Sequence, residues 1–165
     1  MNKKIPNWKE YFMLEAITAS FRSKDPATQV GCVFVDENNH QLSMGFNGFV
    51  SGVDESKFTW TKDKDLPLSQ TKYAYVIHAE ANAILHSSNN LKNSTLYVTL
   101  FPCNECAKML ATLKIKKVYY LDDKNHESES NKASRLILDS SNIEYEQVSI
   151  RKEIIELYKD KINLL

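Results

Sequence analysis

The chain has 165 residues, 42% of them hydrophobic, with 21 acidic and 21 basic side chains and a formal net charge of zero. That is one domain of ordinary size with enough apolar content for a real core. Its scattered lysines and arginines argue against holding a long nucleic acid, which calls for a basic excess or stripe. No run of about eighteen apolar residues exists and no apolar stretch follows Lys3 and Lys4, so neither a membrane span nor a secretory leader is expected, and the cytoplasm is the default compartment.

Asn7 followed by Glu10 has the form of a capping box, and Trp8, Tyr11, Leu14, Ile17 and Phe21 then recur at spacings of three and four, which predicts a first amphipathic helix. Arg22 to Pro26 breaks it. Val30 to Val35 and Gln41 to Phe46 read as a strand pair around the turn Asp36-Glu37-Asn38-Asn39. All four glycines, Gly31, Gly45, Gly48 and Gly52, fall in this hairpin and the loop after it, so close backbone geometry is expected there. No glycine-rich phosphate loop exists, which leaves side chains or helix N-termini to hold any phosphate. Residues 51–72 are polar and charged around a few large apolar side chains and read as an inserted loop.

Tyr73 to Ile77 leads into His78, which opens a helix rich in alanine. Ser94 to Leu100 forms the next strand and delivers Pro102, a residue suited to a helix start. A helix from 103 to about 113, a strand from Lys117 to Leu121, a helix near Ser130 to Asp139, a short strand from Ile143 to Gln147 and a last helix from Arg151 complete the pattern. Strands alternating with helices after one hairpin predict an α/β fold, a mixed sheet with helices on both faces.

The chemistry concentrates in His78-Ala79-Glu80 and Pro102-Cys103-Asn104-Glu105-Cys106. Cys103 and Cys106 are one helical turn apart, so both thiolates reach one ion. With His78 as third ligand, a zinc ion keeps one coordination position for water, which separates a catalytic site from a closed structural one. His78 and Glu80 lie about 200° apart around a helix and cannot both face an ion from its side. They can if the ion lies beyond the helix N-terminus. Two thiolates cancel the charge of the dication, so its water is acidified less than at a tri-histidine site and a nearby base, Glu80, has to help. Cys32, in an apolar strand, reads as a small core residue.

H-x-E followed by P-C-x-x-C is the signature of zinc-dependent nucleobase deaminases. The resemblance goes further, because Ser23 to Gly31, Gly45-Phe46-Asn47-Gly48, Tyr73 to Glu80 and Tyr97 to Lys108 are similar to blocks of the deoxycytidylate deaminases along nearly the whole chain. That resemblance implies the three-layer, five-stranded cytidine-deaminase fold and one catalytic zinc held by His78, Cys103 and Cys106. It also implies a proton-shuttling Glu80, dCMP as substrate, and a homo-oligomer, a hexamer above other sizes. It places Asn47 against the nucleotide, where the residue by itself reads equally as a turn asparagine with positive φ, and Ser23 and Lys24 near the phosphate.

The loop around Asn47 is linked in the family to control by dCTP, with magnesium, and by dTTP. Phe46 and Phe49-Val50 depart from the usual pattern there, and Asn125 stands where a tyrosine near the substrate is common. Tyr120 either replaces that tyrosine or packs in the core. A deaminase of another cytosine nucleoside or nucleotide, a tRNA adenosine deaminase, and a non-catalytic nucleotide-binding subunit are the competing readings.

Overall fold

The computed structural model of the protein describes residues 5–163. Helix α1 (Trp8–Ser20) precedes strands β1 (Gly31–Val35), β2 (Gln41–Phe46) and the two-residue β3 (Gly48–Phe49). After the inserted segment come β4 (Val76–Ile77), α2 (Ala79–Leu85), β5 (Thr95–Leu100), α3 (Asn104–Leu113), β6 (Lys117–Asp122), α4 (Glu129–Ser140), β7 (Glu144–Gln147) and α5 (Lys152–Ile162). The main sheet has the order β2-β1-β5-β6-β7. β1 is antiparallel to both β2 and β5, whereas β5, β6 and β7 run parallel.

β1 is buried along its whole length because it carries apolar residues on both faces. Cys32 and Phe34 point into one core layer with Leu96, Val98 and Val118, against Ala79 and Ala83 of α2, Leu110 of α3 and Leu138 of α4. Val33 and Val35 point the opposite way, onto Phe12, Met13 and Ala16 of α1. The mixed sheet covered on both faces, and Cys32 as a fully buried core residue, agree with the sequence reading.

Two glycines set how closely the helices approach this sheet. A Cβ on Gly31 would stand 2.1 Å from the Ala16 carbonyl oxygen of α1, and one on Gly45 would stand 2.3 Å from the Ala79 oxygen of α2. The backbone of β2 is thus pressed against the first turn of the helix that begins at His78. Gly52 alone among the glycines takes a positive φ.

The predicted capping box is present. The Asn7 side chain accepts from the Glu10 N–H at 3.0 Å, and the Glu10 carboxylate accepts from the Asn7 N–H at 2.9 Å. The same buried carboxylate takes a two-pronged contact from Arg151, Nε at 2.7 Å and the terminal nitrogen at 2.8 Å, which ties the start of α1 to the start of α5. The guanidinium holds the Glu10 carboxyl down at about 2 against an ordinary 4.5. A carboxyl depressed in the folded state contributes stability that is complete above its unfolded pKa and is lost as pH falls through the folded one. Screening around the half-exposed guanidinium keeps that contribution to about 1–2 kcal/mol. Urea unfolding of Glu10→Gln against wild type is expected to show this deficit at pH 7 and to show it shrinking between pH 4.5 and 2. A deficit that persists unchanged at pH 2 would mean the pair is not its source.

Candidate active site

Two helix N-termini converge at the end of the parallel strands. β4 ends at Ile77, and His78 takes extended backbone angles as the N-cap of α2, with Glu80 in the first turn behind it. β5 ends at Leu100. The chain turns through Phe101, whose N–H donates to the Asp122 carbonyl at 2.8 Å, and Cys103 becomes the N-cap of α3 with Cys106 in its first turn. Cys103 therefore stands just outside the helix that the sequence reading had carrying it, but both sulfurs still face one point.

His78 Nδ1 lies 3.3 Å from Cys103 Sγ and 3.4 Å from Cys106 Sγ, and the three ligand atoms lie within 4.8 Å of one another. Tetrahedral coordination with zinc's usual bond lengths sets nitrogen and sulfur ligands about 3.6 Å apart, so this donor set fits zinc in both kind and spacing. The Cys106 thiol and the His78 imidazole donate toward Cys103 and hold its thiol down at about 4. Cys103 in turn raises His78 to about 9, while Cys106, next to the charged sulfur and buried, is pushed up. Cys103 thus carries a thiolate, the form that binds metal.

Glu80 is 3% exposed, and burial pushes its carboxyl up, against the opposing pull of His78. A carboxyl raised toward neutrality is suited to both taking and giving a proton. The site opens into a cavity of about 580 Å³ walled by Asp25, Ala27, Thr28 and Val30, by Asn47, by Lys62, Lys72 and Tyr73 of the inserted segment and its end, and by the loop between β6 and α4. That loop is held by Asp123, which accepts from Asn131 at 3.0 Å and pairs with Arg135 and His126. The Arg135 guanidinium lies 4.3 Å from the centre of the Phe101 ring.

Asn47 lines this cavity and is 6% exposed. Its φ is not positive, so the turn reading does not describe it. Instead its Oδ1 accepts from the Val30 N–H at 2.8 Å, and its amide nitrogen donates to Thr28 O and to Asp25 Oδ2. Ser23 is buried behind the turn, accepting from the Asp25 N–H at 3.3 Å. Lys24 is held by both oxygens of Glu55 at 2.9 Å and faces a neighbouring cavity with Arg22, Phe49 and Trp60. The structure thus brings His78, Glu80, Cys103 and Asn47 onto one cavity, with the buried Cys106 sulfur beside His78, and leaves Ser23 and Lys24 outside its wall. Tyr120 packs edge-on against Phe101 in the core. Asp25 and Lys72, which form a buried ion pair in the wall, were not singled out as site residues in the sequence. Nothing in residue type or spacing marks two side chains 47 positions apart as partners.

The sequence model described as the cytidine and deoxycytidylate deaminase zinc-binding region matches residues 6–122, which include every element that builds this site up to the end of β6. The chain belongs to the cytidine and deoxycytidylate deaminase family. A probable deoxycytidylate deaminase of Caenorhabditis elegans is 47% identical over 149 residues, 88% of this chain and 73% of that protein. The deoxycytidylate deaminase of Homo sapiens is 38% identical over 157 residues, 94% of this chain and 88% of that protein. Among solved structures, the dCMP deaminase of cyanophage S-TIM5 in complex with dCMP and dUMP superposes with a TM-score of 0.69 at 30% identity, covering 88% of this family member and all of the phage chain.

Proposed function

We propose that this chain is a zinc-dependent hydrolase that deaminates dCMP to dUMP and ammonia, supplying dUMP for thymidylate synthesis from a single deaminase domain. The observation that carries the reading is a buried carboxylate, Glu80, beside a three-ligand soft-metal site at the floor of a cavity large enough for a nucleotide. His78, Cys103 and Cys106 would hold one zinc per chain, and the bound ion would supply the Lewis acidity that makes a water nucleophilic near neutral pH. Glu80 accepts that water's proton and delivers it to N3 of cytosine as C4 is attacked. It then takes the second proton from the hydroxyl now on C4 and passes it to the amino nitrogen, so the C4–N4 bond breaks, a carbonyl is left at C4 and ammonia leaves.

Asn47, its donors already committed, meets the nucleotide through the remaining lone pair of Oδ1. The phosphate lies at the mouth of the cavity, where Lys62 and Lys124 stand exposed and, among the described residues, without an acidic partner. Ser23 and Lys24 brace the chain behind it. A dCTP effector and its dTTP antagonist would take the adjoining cavity of about 420 Å³, which Lys24, Phe49 and Trp60 line and which borders the catalytic cavity through Asn47, while magnesium rests on the family resemblance alone. Hexameric assembly rests on the family resemblance, and the cytoplasm remains the default compartment. No helix among the described residues is long and apolar enough to cross a membrane.

Ammonia release by the zinc-loaded protein with dCMP, deoxycytidine and CMP, each with and without dCTP and magnesium, tests this. Turnover of dCMP far above the nucleoside is expected. Equal turnover of deoxycytidine would remove the phosphate from the specificity, and silence on all three would remove the reaction.

A further inference from the structure

The buried pair of Asp25 and Lys72 lies in the cavity wall beside Asn47, and neither residue belongs to the metal motif. Their side chains are 1% and 10% exposed. Asp25 is saturated: Oδ1 accepts from the Ala27 and Thr28 N–H groups at 2.8 and 3.1 Å, and Oδ2 accepts from Asn47 and from Lys72. Asn47 has no donor left. The Lys72 ammonium has three hydrogens and, among the described residues, one acceptor. Its backbone N–H donates to Thr61 O at 2.9 Å, so the end of the inserted segment is fastened where the side chain enters the cavity.

A buried ion pair adds little stability over apolar side chains of the same size, so stability alone does not account for one in a substrate cavity. Once a ligand displaces water from the cavity, an ammonium hydrogen without an acceptor is a penalty, and one that meets an oxygen is a contact. Because Asp25 neutralises the charge, that oxygen is a neutral acceptor and not the phosphate, for which Lys62 and Lys124, without an acidic partner among the described residues, stand exposed at the mouth.

We propose that Lys72 is a specificity-determining residue, donating to a neutral oxygen of the nucleoside part of the substrate, either the sugar 3′-hydroxyl or the carbonyl at C2 of the base. The inserted segment is then a functional wall of the site. This rests on the nucleotide-deaminase reading above.

The test is kcat/KM for dCMP, for 2′,3′-dideoxycytidine monophosphate, which lacks the 3′ oxygen, and for 2-thio-dCMP, in which sulfur replaces the base carbonyl oxygen. Wild type, Lys72→Met and Lys72→Arg are compared, with zinc content measured alongside. Ratios between ligands on one preparation cancel the folded and zinc-loaded fraction. Wild type is expected to lose about 10- to 100-fold on one analogue. Lys72→Met should lose a similar factor on dCMP and no longer distinguish that analogue, and Lys72→Arg should recover part of the discrimination. Collapse for the dideoxy compound assigns the sugar oxygen, and collapse for the thio compound assigns the base oxygen. Should Lys72→Met fail to fold with Asp25 stranded, the double variant Asp25→Asn with Lys72→Met removes both charges and is read the same way. Wild-type ratios retained for both analogues would overturn the assignment of Lys72, whereas a wild-type protein inert toward dCMP would overturn the underlying reading as well.

Discussion

Glu80→Gln is expected to keep about one zinc per chain while losing roughly 10³- to 10⁴-fold in kcat, the upper range for removing one general acid–base group that serves several proton transfers. The substitution conserves volume at a position 3% exposed in the first turn of α2, so the fold should persist. Because burial already presses the Glu80 carboxyl toward its neutral form, an amide there carries no new desolvation cost. An amide cannot accept the water's proton, and that is the step lost. Metal analysis and steady-state ammonia release on the same sample separate the two properties. A Glu80→Gln protein with wild-type turnover would sink the assignment of the proton shuttle.

Cys103→Ala and Cys106→Ala are each expected to abolish stoichiometric zinc, and turnover with it. The three ligand atoms lie within 4.8 Å of one another, and removing one leaves a two-ligand site. The two variants should differ in stability without metal. Cys106 is 1% exposed in the first turn of α3, so its truncation opens a void, whereas Cys103 caps the helix at a half-buried position. Differential scanning with and without added zinc reads both effects: zinc should raise the melting temperature of wild type and of neither variant. Zinc protection of Cys103→Ala equal to that of wild type would mean that the ion sits elsewhere.

Much of the fold was legible in the chain itself, because the governing interactions are local. The capping box at Asn7 and Glu10, the strand near 41–46 and the helix start behind His78 follow from residues within four positions of one another. The stripe Trp8, Tyr11, Leu14, Ile17 and Phe21, by contrast, located α1 but not its buried face, which is Phe12, Met13, Ala16 and Ala19, while Trp8, Tyr11 and Phe21 are exposed. The candidate metal ligands were legible for a related reason. A turn-spaced cysteine pair and a helix-opening histidine leave few geometries in which they meet, and the structure realises one of them.

Other features depend on which segments come together in space. Gly31 and Gly45 are glycines because the backbones of α1 and α2 cross them, a contact visible only after the sheet and helices pack. Lys24 and Lys72 look alike in sequence, yet packing gives the first to Glu55 and an adjacent cavity and buries the second against Asp25 within the catalytic one. A charge's role is set by what shares its low-dielectric surroundings, and for partners tens of residues apart neither propensity nor periodicity carries that information. The chain alone therefore determined most of the elements and the candidate ligands and carboxylate that meet at two helix starts, and tertiary packing decided which of its cations line the same cavity.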